Sequence, residues 1–200
     1  MKIAILGWGS LLWDPRELQL AAPFELNGPS LPVEFCRVSK NQRLTLIIEE
    51  SFGTLCSTYA AASACDTLDE ALENLRVREG MSSAADAGFV VTATQERSPA
   101  AAKRHPFAVE TIADWTQNAG YDAAIWTALD YNFESRTGEP FSVNAALRFL
   151  EKLEKHDSEA FARALDYIRK APPATQTPVR DAAALQWPAP VDLGLPGAPG

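Results

Sequence analysis

Between the first apolar run, residues 2–7, and the first strong helical repeat, residues 67–79, the chain carries three strand-like segments and no clear helix. Residues 33–39 (VEFCRVS) and 43–49 (RLTLIIE) pair as a hairpin turning at Asn41-Gln42, with Leu44, Leu46 and Ile48 on one face. Gly53 restarts a strand that runs to about Tyr59. A doubly wound parallel sheet needs a crossover helix between successive strands. The order here instead predicts an α+β domain with a mixed sheet, closed into a small barrel, and flanking helices outside.

The remaining elements follow from periodicity. Residues 67–79 are helical: Thr67 and Glu70 form a capping box, Leu68, Ala71, Leu72 and Leu75 make the apolar stripe, and Gly80 stops it. Residues 88–94 form a strand, 95–105 a loop, 108–118 a helix ended by Gly120, and 122–129 another strand. Ser142 opens a helix to about Glu154, and residues 158–169 form one more. Seven of the fourteen prolines fall in residues 171–200, among few charges. That composition predicts an extended tail anchored by Trp187, leaving residues 1–170 as a single domain.

Composition narrows the function. Eighteen Lys and Arg against 26 Asp and Glu give a net charge of −8, which excludes a general affinity for nucleic acid. No apolar run approaches the roughly 20 residues that span a bilayer. Gly7, Gly9 and Asp14-Pro15 break up the N-terminal run, so it reads as a buried strand and loop rather than a signal peptide. Cys36, Cys56 and Cys65 are odd in number and widely spaced, and only His105 and His156 join them. These residues fit neither a disulfide framework nor a metal site, and point to a reducing cytoplasm. Ser10, Ser39 and Ser51 stand in no GxSxG elbow, which argues against a serine hydrolase. Tyr121 and Tyr131 flank a strand as possible donors, with nothing to select either.

The loop after the first strand admits several readings. Gly7-Trp8-Gly9 is half of a dinucleotide fingerprint, but Leu12 stands where the third glycine belongs and Pro15 interrupts the helix. The same glycines let backbone N–H groups converge on a carboxylate, with Ser10 adding a hydroxyl. They also fit a plain tight turn between core elements.

Gly7-Trp8-Gly9-Ser10-Leu11-Leu12-Trp13 resembles the aromatic-Gly-Tyr-Gly-Ser-Leu-x-Trp stretch of the gamma-glutamylcyclotransferase superfamily, with Trp8 in place of Tyr. Glu34-Phe35-Cys36-Arg37 and Leu75-Arg76-Val77-Arg78-Glu79-Gly80 resemble, in the same order, two further segments of its glutathione-degrading branch. The resemblance covers about residues 3–94. It implies cofactor-independent and metal-independent release of 5-oxoproline and a free amine from a small gamma-glutamyl amide. It also implies Glu79 as the general base and acid, and head-group binding by Gly7, Trp8, Gly9, Ser10 and Leu11. Arg37 is a further candidate for a substrate carboxylate, or else a surface arginine paired with Glu34 or Glu49. The alternative is a non-catalytic module on the same fold that binds a small carboxylate or a protein.

Overall fold

The computed structural model describes residues 1–189. In chain order its strands are β1 (Ile3–Gly7), β2 (Ser30–Val38), β3 (Leu44–Ile48), β4 (Thr54–Ser57), β5 (Tyr59–Ala62), β6 (Ala87–Val91) and β7 (Ala123–Thr127). The helices are α1 (Leu68–Glu79), α2 (Pro99–Arg104), α3 (Pro106–Asn118), α4 (Phe133–Thr137), α5 (Val143–His156), α6 (Ser158–Arg169) and α7 (Pro178–Gln186). One sheet has the order β5-β1-β7-β6, with β1 and β7 parallel and the outer pairs antiparallel. The other, β3-β2-β4, is wholly antiparallel. The fold is thus α+β with a mixed sheet as expected, but the barrel is not: among the described residues the strands form two open sheets.

The reason lies at Thr58. The single strand expected over residues 53–59 is broken there into β4 and β5, which join different sheets. Thr58 is fully buried, its hydroxyl donates to the Pro29 carbonyl at 2.6 Å, and its own carbonyl accepts from the Gly28 N–H at 3.0 Å. The backbone there is committed to the loop before β2, and no ladder runs on from one sheet to the other.

Every β1 residue is buried because the strand has a core on each side. Ala4 and Leu6 belong to the larger core, with Ala124 and Trp126 of β7, both sheets and helices α3, α5, α6 and α7. Ile3 and Ile5 belong to the smaller core, with Ile125 and with Ala71 and Leu75 of α1. The two-residue period of a strand sends alternate side chains to opposite faces. Gly88 on β6 lies under the Trp126 indole, where an added Cβ would sit 2.3 Å from the ring.

Two segments are more ordered than the sequence suggested. Residues 95–105 contain α2, capped by the Ser98 hydroxyl with Pro99 in its first turn. The expected tail contains α7, capped by Thr177, with Val179 and Ala183 fully buried and Trp187 edge-on to Phe161 at 5.4 Å. The Glu34 carboxylate on β2 anchors this helix. It accepts from the Thr177 hydroxyl at 2.6 Å and from the Val179 N–H at 3.4 Å. Residues 190–200, the rest of that expected tail, lie outside the described residues. No helix among the described residues is long and apolar enough to cross a membrane.

Candidate functional site

The loop after β1, the C-terminal end of α1, the β2–β3 hairpin and α6 converge on a cleft of about 370 Å³. All seven residues expected at a site, Gly7, Trp8, Gly9, Ser10, Leu11, Arg37 and Glu79, line it. They do not contribute alike. The Trp8 and Leu11 side chains are buried in the two cores, so these residues offer main chain to the cleft. In this loop Leu12 N–H donates to the Gly9 carbonyl and Asp14 N–H to that of Ser10. The N–H groups of Gly9, Ser10 and Leu11 have no acceptor among the described residues.

Glu79 is the last residue of α1, and Gly80 follows in the left-handed conformation at φ 61°. Its side chain is 17% exposed, and Oε1 accepts from Arg78 Nη1 at 2.6 Å. Arg78, almost wholly buried, also reaches across to the loop: Nη2 lies 3.4 Å from Ser10 Oγ and donates to the Asp14 carbonyl. One arginine therefore ties the carboxylate to the glycine loop, 68 residues away in the chain. Arg76 pairs with Glu73 at 2.6 Å and donates to the Met81 carbonyl at 3.0 Å, and it does not line the cleft.

Burial pushes the Glu79 carboxyl above the usual carboxylate range, and the charges of Arg78, Arg16 and Arg43 only partly offset it. A carboxyl so placed exchanges its proton nearer neutrality than a free Glu does, which suits a group that must both take and return a proton.

Tyr167 of α6 completes the site. Its hydroxyl sits beside Ser10 and so close to Gly9 that a Cβ there would lie 3.1 Å from it. Burial first, and then the negative charge of Glu79, push the phenol up to about 12, so it stays a proton donor at neutral pH. Trp13 meets the ring edge-on at 5.5 Å, and Arg43 lies over it at 5.3 Å.

Arg37 reaches the cleft through a β-bulge. Phe35 pairs with Leu46 and Arg37 with Thr45, leaving Cys36 as the extra residue. The bulge explains the imperfect alternation of β2 and turns Arg37 out of the core. Arg37 donates to the Asp130 carbonyl at 3.2 Å. The expected pairing with Glu34 does not form, because Glu34 is buried on α7.

Tyr167 and Arg43 carried no recognisable sequence signal. Tyr167 falls within the apolar stripe of α6, where a core aromatic is the ordinary reading. Tyr121 and Tyr131, considered as donors, pack instead on Trp115 and Phe52 and do not line the cleft. No protein-family model matches this chain, and no curated protein or solved structure matches it significantly.

Proposed function

We propose that the chain is a cofactor-independent cyclotransferase, acting in the cytoplasm, that releases 5-oxoproline and a free amine from a small gamma-glutamyl amide. One observation carries this reading. A buried carboxylate with a raised proton affinity and a loop of unpaired N–H groups line the same cleft, joined through Arg78. In this reading the N–H groups of Gly9, Ser10 and Leu11 hold the alpha-carboxylate of the gamma-glutamyl group. Glu79 removes a proton from the substrate's alpha-ammonium. The freed amine attacks the gamma-carbonyl carbon, and a ring C–N bond forms. The carbonyl oxygen becomes an oxyanion, to which the neutral Tyr167 hydroxyl beside Ser10 donates. Glu79 then returns its proton to the leaving nitrogen as the old C–N bond breaks, and the ring nitrogen releases its second proton to solvent to give the neutral lactam. The closure is intramolecular, so most of the work is holding a reactive conformer.

The Arg78–Glu79 contact at 2.6 Å favours a second reading, in which the pair is structural and the cleft only binds a carboxylate. The two part at turnover. Glutathione, gamma-glutamyl amino acids and gamma-glutamyl amines are offered to the protein, and 5-oxoproline is quantified. Release from any of them supports the enzyme; binding without release supports the module.

A further inference from the structure

Two ion pairs in the last turns of α1 use the same residue types differently. Arg76 forks onto Glu73: Nε meets Oε2 and Nη2 meets Oε1, both at 2.6 Å, so both carboxylate oxygens are taken. Arg97 forks onto Glu110 in the same way, at 2.7 and 2.9 Å. The fork is favoured because it makes two parallel charge-assisted hydrogen bonds. Arg78 does not fork. Its Nη1 alone meets Glu79, at Oε1 and 2.6 Å, and Oε2 accepts from no described residue.

The rest of the guanidinium shows what prevents the fork. A planar guanidinium can fork through Nη1 with Nη2, or through Nε with Nη2, so either fork needs Nη2. The loop after β1 holds that nitrogen. Nη2 donates to the Asp14 carbonyl and lies 3.4 Å from Ser10 Oγ, which gives an acceptor to each of its two hydrogens. Nε is then left buried with no partner among the described residues. A buried N–H without an acceptor is unfavourable, and a fork onto Glu79 through Nε would relieve it. The structure forgoes that relief and keeps Oε2 open. Glu79 lines the cleft, so the open oxygen belongs to a carboxylate within reach of a ligand there.

We propose that Arg78 is a positioning residue for the proton transfer: fixed by the loop, it takes Oε1 of Glu79 and leaves Oε2 to the substrate. Oε2 then receives the proton from the alpha-ammonium and returns it to the leaving nitrogen. This rests on the cyclotransferase reading above. Arg16 of the loop, Arg43 of the β2–β3 hairpin and Tyr167 of α6 also face Glu79 and act on its charge. Among the described residues only Arg78 donates to its carboxylate.

The test uses Arg78→Lys and Arg78→Gln, with Arg76→Gln as a control from the same helix end that does not line the cleft. Each is checked for folding by circular dichroism. Turnover of glutathione and gamma-glutamylalanine gives kcat and KM. In parallel the Glu79 carboxyl is titrated by NMR in protein carrying isotope-labelled glutamate, its signal assigned by its loss in Glu79→Gln. Arg78→Lys keeps the charge but loses the planar set of donors. It is expected to lower kcat by about 10²-fold, the scale of a small misplacement of a reacting group, with KM and the Glu79 titration close to wild type. Arg78→Gln is expected to lose kcat to the same extent. It also moves the Glu79 titration, and the acid limb of the pH–rate profile with it, to higher pH, because a neighbouring positive charge is gone. Arg76→Gln retains wild-type turnover. Wild-type kcat in Arg78→Lys overturns the inference, and so does a loss confined to KM. An equal loss in Arg76→Gln assigns the effect to the helix end and overturns it too. If wild type cyclises neither compound, the cyclotransferase reading fails, and the titration decides the hold of Arg78 on Glu79 separately. A move to higher pH in Arg78→Gln alone supports that hold; no move in either variant overturns it. If neither Arg78 variant folds, a crystal structure of the wild type decides. A guanidinium forked on both Glu79 oxygens overturns the inference, and a single contact with the other oxygen open supports it.

Discussion

At the scale of single residues, the account turns on Glu79 and the opposing influences on its proton. Burial raises its affinity for the proton, and Arg78, Arg16 and Arg43 pull it back. A base must be ionised to act, so the rising acid limb of kcat/KM is expected above the ordinary range of a free Glu, about pH 4.3. A pH–rate profile checks this; a limb at or below that value would contradict the raised proton affinity. The same shift has a stability consequence of definite sign. A folded-state pKa raised above the unfolded one contributes stability that is fully present below the unfolded value and is lost as pH rises through the folded one. Wild type should therefore gain stability relative to Glu79→Gln as pH falls from neutral toward about 4. Paired thermal melts across that range test it, and a constant difference would contradict it. Tyr167→Phe removes the neutral donor beside Ser10 and is expected to lower kcat by about 10²-fold, in the range seen for a lost oxyanion donor. A loss confined to KM would assign the hydroxyl to substrate binding instead.

At the scale of elements, the C-terminal segment belongs to the site's support. Thr175 donates to the Trp8 carbonyl at 3.2 Å, behind the glycine loop. Arg180 donates to the carbonyls of Ala171, Pro172 and Thr175, which fixes the approach to α7. Glu34→Ala would strand the Thr177 hydroxyl and the Phe35 N–H, both now within 2.6 Å of its carboxylate. The expected cost is about 1–3 kcal/mol for buried donors left unpaired. Denaturant titration reads it, and no change in midpoint would show that α7 is held by its apolar contacts alone. Gly88→Ala is expected to destabilise by about 1–3 kcal/mol, because the new methyl group meets the Trp126 ring.

These elements differ in how much the sequence discloses. Helix α1 is legible because its signals are local: Thr67 and Glu70 at one end, Gly80 at the other. Helices α2 and α7 begin at Ser98-Pro99 and Thr177-Pro178, and Pro in the first turn is itself a start signal. Their short length and proline-rich surroundings obscured it. The break at Thr58 is set by contacts with the loop before β2, which no window around residues 53–59 contains.

At the scale of the whole molecule, the mixed sheet separates two cores, and the cleft opens where β1 ends. The glycine loop and Glu79 were legible as a candidate site, because each lies at a marked boundary, one a strand end and the other a helix end before Gly80. Tyr167 and Arg43 were not. They come from α6 and the β2–β3 hairpin, and only the tertiary fold places them against the loop. The cleft carries excess positive charge on a chain of net −8, so its local field opposes the global one.

The central claim is that Glu79 performs acid–base chemistry in this cleft, and 5-oxoproline release by wild type beside Glu79→Gln tests it most directly. The account predicts release by wild type and a fall of about 10²–10⁴-fold in Glu79→Gln, with the fold and substrate affinity of the variant retained. Equal release by the two proteins would contradict it.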